Sequence, residues 1–73
     1  MSKLPILSGK KVVKALNKIG YFVANQRGSH FRLHHQIRKS TTVPNHVIGR
    51  GLLKKILRDT QLSTDEFIKL LKK

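Results

Sequence analysis

The sequence predicts an α+β fold, in which helices cover one face of a three-stranded antiparallel sheet and leave the other face open. Apolar residues recur with a helical period in the N-terminal and C-terminal parts of the chain. The part between them is rich in β-branched and aromatic residues and is interrupted by polar turns. Strands are predicted at 21–26, 29–35 and 40–43. The order is therefore α-β-β-β-α with an additional short C-terminal helix, which is typical of helices packed on an antiparallel sheet.

The first helix is predicted over residues 9–19. Ser8 can cap the free amide groups at its start, and Gly20 can adopt the left-handed conformation that often follows a helix. The apolar face consists of Val12, Val13, Ala15, Leu16 and Ile19. The opposite face consists of Lys10, Lys11, Lys14 and Lys18. Because a solvated face usually mixes both signs of charge, we expect these lysines to bind RNA or an acidic protein.

The middle strand decides which side chains reach the open face of the sheet. Residues 29–35 alternate in polarity, and Phe31 and Leu33 are predicted to pack beneath the helices. The residues that alternate with these two are then predicted to face solvent: His30, Arg32 and His34.

The segments that flank this strand are predicted from their turn and aromatic residues. Arg27-Gly28 is predicted as the hairpin turn, and Pro44 is predicted to end the third strand. Tyr21 and Phe22 are expected in the core rather than as platforms for base stacking. Of the remaining histidines, His34 and His35 are expected on the surface, and His46 is expected to position its loop, with a phosphate contact as the alternative.

The C-terminal part of the chain is predicted to contain a loop and two helices. Residues 45–50 are predicted as the loop, and Gly51 as the cap of a helix that ends near Asp59. The apolar face of this helix is Leu52, Leu53, Ile56 and Leu57, and its polar face includes Lys54, Lys55 and Arg58. Ser63 and Glu66 have the spacing of a capping box for the last helix.

Size and charge limit the possible functions. The chain has 73 residues, which predicts a single domain over 1–73. Sixteen Lys and Arg against three acids give a formal net charge of +13, so a polyanion or an acidic protein is the expected partner. There is no cysteine and no apolar run long enough for a membrane helix or a signal peptide. We therefore expect a cytoplasmic protein that is monomeric when free and has no membrane partner.

The side chains present exclude several kinds of catalytic site. Three acids are too few for an oxygen-rich metal site or a two-metal nuclease, and the histidines do not have zinc-binding spacing. No cofactor is expected.

A single histidine can nevertheless act on RNA, because the 2′-hydroxyl supplies the nucleophile and an imidazole can remove its proton near neutral pH. His30 has Arg32 on the same face and Arg27 at the turn, where both could stabilise phosphate charge. The alternative is that His30 is an ordinary solvated side chain.

Four short motifs in register resemble a known family over residues 9–70. They are Gly20-Tyr21, Arg27-Gly28-Ser29-His30, Val43-Pro44-Asn45-His46 and Gly51-Leu52-Leu53-Lys54. This set is similar to the HicA family of toxin mRNA interferases, also called YcfA-like proteins. The family has Gly-Thr-Leu at the start of the second helix, where this chain has Leu52. A threonine that only capped the helix could be replaced by Gly51, whereas a threonine that bound RNA could not.

The resemblance implies a fold of the double-stranded-RNA-binding-domain type. It also implies metal-independent cleavage of mRNA, with His30 as the catalytic residue, and a HicB antitoxin that covers the active site. RNA contacts are expected from the lysines of both helices and from the hairpin: Lys10, Lys11, Lys14, Lys18, Arg27, Gly28, Ser29, Arg32, Lys54 and Lys55. Two alternatives from other classes are a non-catalytic RNA-binding module of the same fold and an inactive relative that only binds a partner.

Overall fold

A computed structural model describes residues 6–72 of the chain and confirms the α+β fold. Its elements are β1 (Leu7–Ser8), α1 (Gly9–Asn17), β2 (Phe22–Arg27), β3 (His30–His34), β4 (Thr41–Pro44), β5 (Val47–Ile48), α2 (Arg50–Thr60) and α3 (Thr64–Leu71). Strands β2, β3 and β4 form an antiparallel sheet in that order. The α1-β2-β3-β4-α2 arrangement is of the double-stranded-RNA-binding-domain type. No helix within residues 6–72 is long and apolar enough to span a membrane.

The core lies between the helices and one face of this sheet. Leu33 of β3 and Val43 of β4 are fully buried there, together with Leu16 of α1 and Phe67 of α3. Phe31, the other inward residue of β3, is partly buried and packs against the same cluster. The predicted inward and outward sets of β3 are therefore confirmed: His30 and Arg32 are exposed, and His34 is half-buried on the same face.

The start of α1 is held against the end of β4. The Ser8 hydroxyl accepts a hydrogen bond from the Lys11 amide, as predicted for an N-cap. The Gly9 amide donates to the His46 carbonyl over 2.9 Å. A Cβ on Gly9 would lie 1.8 Å from the Pro44 carbonyl oxygen, so only glycine allows this approach.

The predicted loop over residues 45–50 is partly wrong, because it contains a short strand. Val47–Ile48 pairs antiparallel with Leu7–Ser8, and the two segments form a separate two-stranded sheet. Two residues give too short a pattern to distinguish a strand from a loop. The pairing depends on the approach of the α1 start to the β4 end, which is a tertiary contact.

The ends of α2 also differ from the prediction. Gly49, rather than Gly51, is the N-cap, and it provides no side-chain hydrogen bond. The helix ends one residue later than predicted, after which Gln61 adopts φ 59°. The predicted capping box of α3 is confirmed, because the Ser63 and Glu66 side chains each accept a hydrogen bond from the other residue's amide.

The two adjacent aromatic residues before and in β2 have opposite environments. Tyr21 is buried, as predicted, and its hydroxyl donates to the Lys39 carbonyl over 2.8 Å. Burial raises the pKa of Tyr21 above its ordinary value. Phe22 is 51% exposed, so its predicted place in the core is wrong. Strand alternation sends the two side chains to opposite faces, and β2 lies at the sheet edge.

Candidate active site on the open face of the sheet

A two-residue turn presents His30 at the start of β3. The turn is formed by Gly28 and Ser29, one residue later than predicted, so Arg27 and His30 are the paired residues that flank it. Gly28 adopts φ 55° at the first central position, where a type II′ hairpin requires glycine. The Ser29 carbonyl accepts a hydrogen bond from the Asn45 amide, which anchors the turn to the end of β4.

A β-bulge in β2 brings two further polar side chains to the same face as His30. Val23 pairs with Leu33, but the next pair along the strand is Asn25 with Arg32, so Ala24 is left without a partner residue on β3. A shift of one residue reverses the face of every later side chain. Without the bulge, the side chains of Asn25 and Arg27 would point to the core face.

Pairing across the three strands arranges these residues in rows. One row holds Arg27, His30 and Pro44, and the next holds Asn25, Arg32 and Thr42. Directly opposite side chains in such rows lie about 5 Å apart at Cβ. A cleft on the open face is lined by Asn25, Arg27, His30, Arg32 and Thr42.

The imidazole of His30 is available for chemistry. His30 is exposed, and its ring makes no hydrogen bond to any residue in the 6–72 range. Arg27 and Arg32 give the cleft positive charge, and no acidic residue lines it. His34 lies on the same strand face but four residues away, which is about 13 Å along β3, so the two rings cannot act on one phosphate.

The sequence matches a known protein family over most of the chain. The chain matches the family described as HicA toxin of bacterial toxin–antitoxin systems over residues 9–62. It belongs to the HicA toxin family. The match covers α1, the three-stranded sheet and α2, and so includes the whole cleft. Members of the HicA family are generally toxins that cleave mRNA and pair with an antitoxin. A search of curated proteins gave no match.

The structure divides the predicted RNA-binding residues of this HicA toxin into two groups. Lys55 lines a groove between β4 and α2 that shares Arg32 and Thr42 with the cleft. Lys54 lies beside Lys55 on the outer surface of α2. Lys55 therefore borders the cleft that holds His30, in a groove that Asp59 also lines, whereas Lys54 lines neither the groove nor the cleft.

The lysines of α1 are not brought to His30. Lys11, Lys14 and Lys18 line a different groove, between α1 and α3, together with apolar side chains of α3. The Lys18 ammonium donates to the Leu70 carbonyl over 2.6 Å. Lys10 is exposed on the same helix. An RNA that reached both groups would have to extend around the domain.

His35 has a structural environment that the sequence did not indicate. Its Nδ1 accepts hydrogen bonds from the amides of Ile37 and Arg38, each over 3.1 Å. A ring nitrogen that accepts carries no proton, so Nε2 must be the donor to the Ile19 carbonyl at 2.8 Å. The ring also packs 4.8 Å from the Tyr21 ring, centroid to centroid. The prediction of an ordinary surface histidine is wrong here, because His35 links the turn after α1 to the turn after β3.

His46 lies outside the cleft. Its side chain is exposed, and Nδ1 is 2.9 Å from the Val47 carbonyl. Its backbone carbonyl accepts the hydrogen bond that holds Gly9. These contacts agree with the predicted role in positioning the loop.

Sequence reasoning missed two residues near the site. Asn25 and Thr42 line the cleft, but Asn25 has this orientation only because of the bulge. The Asn25 carboxamide oxygen accepts from the Gln26 amide over 2.8 Å, which leaves its NH₂ group for a ligand. Leu52 was predicted on the apolar face of α2, but it is 37% exposed and lines the groove with Arg32 and Thr42.

Proposed function

We propose that this HicA toxin is an endoribonuclease that cleaves mRNA on the open face of the sheet, with His30 as the general base. The observation that carries the proposal is the position of His30. Its exposed imidazole lies in a basic cleft between Arg27 and Arg32, and neither ring nitrogen is engaged by residues 6–72. Such a ring can accept a proton from a substrate without first giving up a bond within the protein.

The first step of the proposed reaction transfers the proton of a 2′-hydroxyl to a nitrogen of His30. The 2′-oxygen then forms a bond to the adjacent phosphorus, and the bond from phosphorus to the 5′-oxygen breaks. The products are an RNA that ends in a 2′,3′-cyclic phosphate and an RNA that begins with a 5′-hydroxyl. The leaving 5′-oxygen takes up a proton from water or from a lysine, because no second histidine lines the cleft.

The two arginines are proposed to stabilise the charge that grows on the phosphate oxygens. Arg27 is directly opposite His30 across the hairpin, and Arg32 is two residues along the same strand, about 7 Å away. Guanidinium groups held on strands keep their donors in place while this charge develops. The NH₂ group of Asn25 and the hydroxyl of Thr42 provide further donors to the same phosphate or ribose.

The reaction is proposed to need no metal ion. The acids of the chain are Asp59, Asp65 and Glu66, which lie on α2 and α3. Magnesium and calcium prefer carboxylate ligands, and the cleft has none. Arginine and lysine are therefore the groups proposed to neutralise the phosphate.

The antitoxin is proposed to be an acidic HicB-type protein that covers His30 and Arg32. A chain with net charge +13 attracts an acidic surface strongly at low salt. Because the cleft is on an exposed sheet face, one partner surface can block it and compete with RNA. An antitoxin complex in which His30 stays open to solvent would contradict direct occlusion.

The experiment is cleavage of a long mRNA by wild type, His30→Ala and His46→Ala in excess EDTA. We expect His30→Ala to lose about 10²–10⁴ in rate, the usual contribution of a general base. RNA binding should persist, because phosphate contacts dominate affinity. His46→Ala removes an exposed imidazole outside the cleft and should cleave as wild type does.

The outcomes separate the proposed nuclease from its alternative. Equal cleavage by wild type and His30→Ala would overturn the role of His30, and loss of wild-type activity in EDTA would overturn the metal-independent mechanism. Binding without cleavage by any variant would favour the non-catalytic RNA-binding module. Product ends provide a second check, since a 3′-hydroxyl would exclude attack by the 2′-oxygen.

A further inference from the structure

Two aromatic rings lie together at the end of the open face farthest from the hairpin turn. Phe22 begins β2 and is paired with His34, the last residue of β3. Their ring centroids are 6.3 Å apart and the planes are tilted by 38°. Phe22 is 51% exposed, whereas Tyr21 and Phe67 are buried. Phe22 therefore lies outside the core, and half of its surface is available to a ligand.

The bulge places this pair on the same surface as the proposed active site. Phe22 precedes the bulge and Asn25 and Arg27 follow it, so all three side chains of β2 lie on the open face. Their partners on β3, which share this face, are His34, Arg32 and His30. The surface thus runs from an aromatic pair, past a guanidinium, to the exposed imidazole.

We propose that Phe22 and His34 form a subsite that stacks one nucleobase of the RNA whose backbone is cleaved at His30. The proposal rests on the function proposed above and adds a position for a neighbouring nucleotide. Unpaired bases stack on aromatic side chains, and such stacking tolerates any base because every base has a π-face. Arg32 lies between the subsite and His30, where it can hold a phosphate of the nucleotide that links the stacked base to the cleaved position.

The dimensions of the surface fit this arrangement. His34 and His30 are four residues apart on β3, so the subsite is about 13 Å from the catalytic ring. That length accommodates a linking nucleotide in an extended single strand. A base held at this distance would fix the register of the strand, so that one particular 2′-hydroxyl faces His30.

The chemistry of the surface fits RNA as the occupant of the subsite. The side chains around the path from Phe22 to His30 are neutral or positive: Asn25, Arg27, Arg32 and Thr42. A polyanion with flat bases matches both the guanidinium groups and the aromatic pair. A protein partner that used the same surface becomes a separate outcome of the test.

The test measures Kd for a short single-stranded RNA of mixed sequence in the His30→Ala background, which keeps the RNA intact. We expect Phe22→Leu to raise Kd by about 5- to 150-fold, the range for loss of one stacked base. Phe22→Tyr retains the π-face and should bind like the parent. Leucine is apolar and similar in size, so the pair of variants separates stacking from an effect on folding. Val47→Ala is the matched control, since Val47 is 66% exposed but lies in β5.

RNAs of one length with and without bases test the stacking. In the parent protein, removal of all the bases should weaken binding, and in Phe22→Leu that loss should be smaller. Equal affinity of Phe22→Leu and the parent for RNA would overturn the subsite. Weaker binding of the antitoxin with unchanged RNA affinity would also overturn it and would assign the surface to the protein partner. Failure of wild type to cleave would refute the proposed nuclease. The difference in RNA affinity between Phe22→Leu and Phe22→Tyr would still report on the subsite.

Discussion

The two ends of β3 carry histidines that differ completely in their surroundings. At the turn end, His30 is exposed and its ring makes no hydrogen bond to the described part of the chain. Just beyond the other end, both ring nitrogens of His35 are held by backbone groups, and its ring packs on Tyr21. The comparison shows that the fold holds the ring of His35 in place, whereas the ring nitrogens of His30 are left available for the role proposed above.

The backbone nearby creates this difference. The two-residue turn before His30 offers no hydrogen-bond partner to its ring, so the ring faces solvent. The bulge in β2 places Asn25 and Arg27 on the same face as His30. At the other end, the chain turns over residues 36–38, and the amides of this turn converge on one acceptor. Mutations at the two ends should therefore affect different properties.

The largest effect is expected at the turn end. His30→Ala should reduce the cleavage rate by about 10²–10⁴ while changing the free energy of unfolding by less than about 0.5 kcal/mol, as is usual for an exposed side chain. Denaturant titration and product formation should be measured on the same preparation. A large loss of stability in His30→Ala would break the comparison, because it would give His30 a structural role.

The next effect is expected at the other end. His35→Ala removes the donor to the Ile19 carbonyl and the acceptor for the Ile37 and Arg38 amides, which should reduce the free energy of unfolding by about 2–3 kcal/mol. Cleavage per folded molecule should remain near that of wild type. His35→Asn can still accept from the turn amides, so its loss should be smaller. Equal stability of His35→Ala and wild type would contradict the structural role.

A smaller effect should show how far the functional surface extends. Lys55→Ala should make the log–log salt slope for a short single-stranded RNA less negative by about 0.7, the share of one phosphate contact. Lys14→Ala should leave that slope unchanged, because Lys14 lies in the groove between α1 and α3. With a long RNA, both variants should reduce the slope. An equal reduction by Lys14→Ala with the short RNA would mean that RNA does not follow the groove beside Lys55.

The smallest effect is expected at the capping box, which is remote from both ends of β3. Hydrogen bonds from Ser63 lower the pKa of Glu66 below its ordinary value. The folded state therefore gains stability from this carboxylate above its unfolded pKa and loses it as pH falls through the folded pKa. Glu66→Gln should remove that part of the acid sensitivity. The check is the denaturant midpoint of wild type and of Glu66→Gln, measured from pH 7 to pH 3. The midpoint of wild type should fall more steeply, and an identical pH dependence of the two proteins would refute the assignment.

Much of the fold could be predicted because its signals are local. The helix caps at Ser8 and Ser63 depend on residues within one turn, and the alternation of β3 separates Leu33 from His30 without any tertiary information. The family motifs pointed to His30, and the match over residues 9–62 confirmed the family. The pairing of β1 with β5 could not be predicted, because it joins two-residue segments far apart in the chain.

The composition of the site was harder to predict than the identity of its histidine. Arg32 followed from simple alternation. Asn25 did not, because it reaches the open face only through the bulge at Ala24. No glycine or proline in β2 marks the position of this bulge in the sequence. The exposure of Phe22 was missed for a related reason, since an aromatic residue is usually buried and β2 lies at the edge of the sheet.

The sequence by itself determined the element order, the basic character, the inward and outward sets of β3 and the family to which the chain belongs. These properties depend on residue types and on spacings within a few positions of the chain. The tertiary structure decided which basic residues share a surface with His30, that His35 is structural, and that Phe22 is displayed beside His34. Each of these depends on a register or a contact between distant segments, where a shift of one residue reverses the face of a side chain.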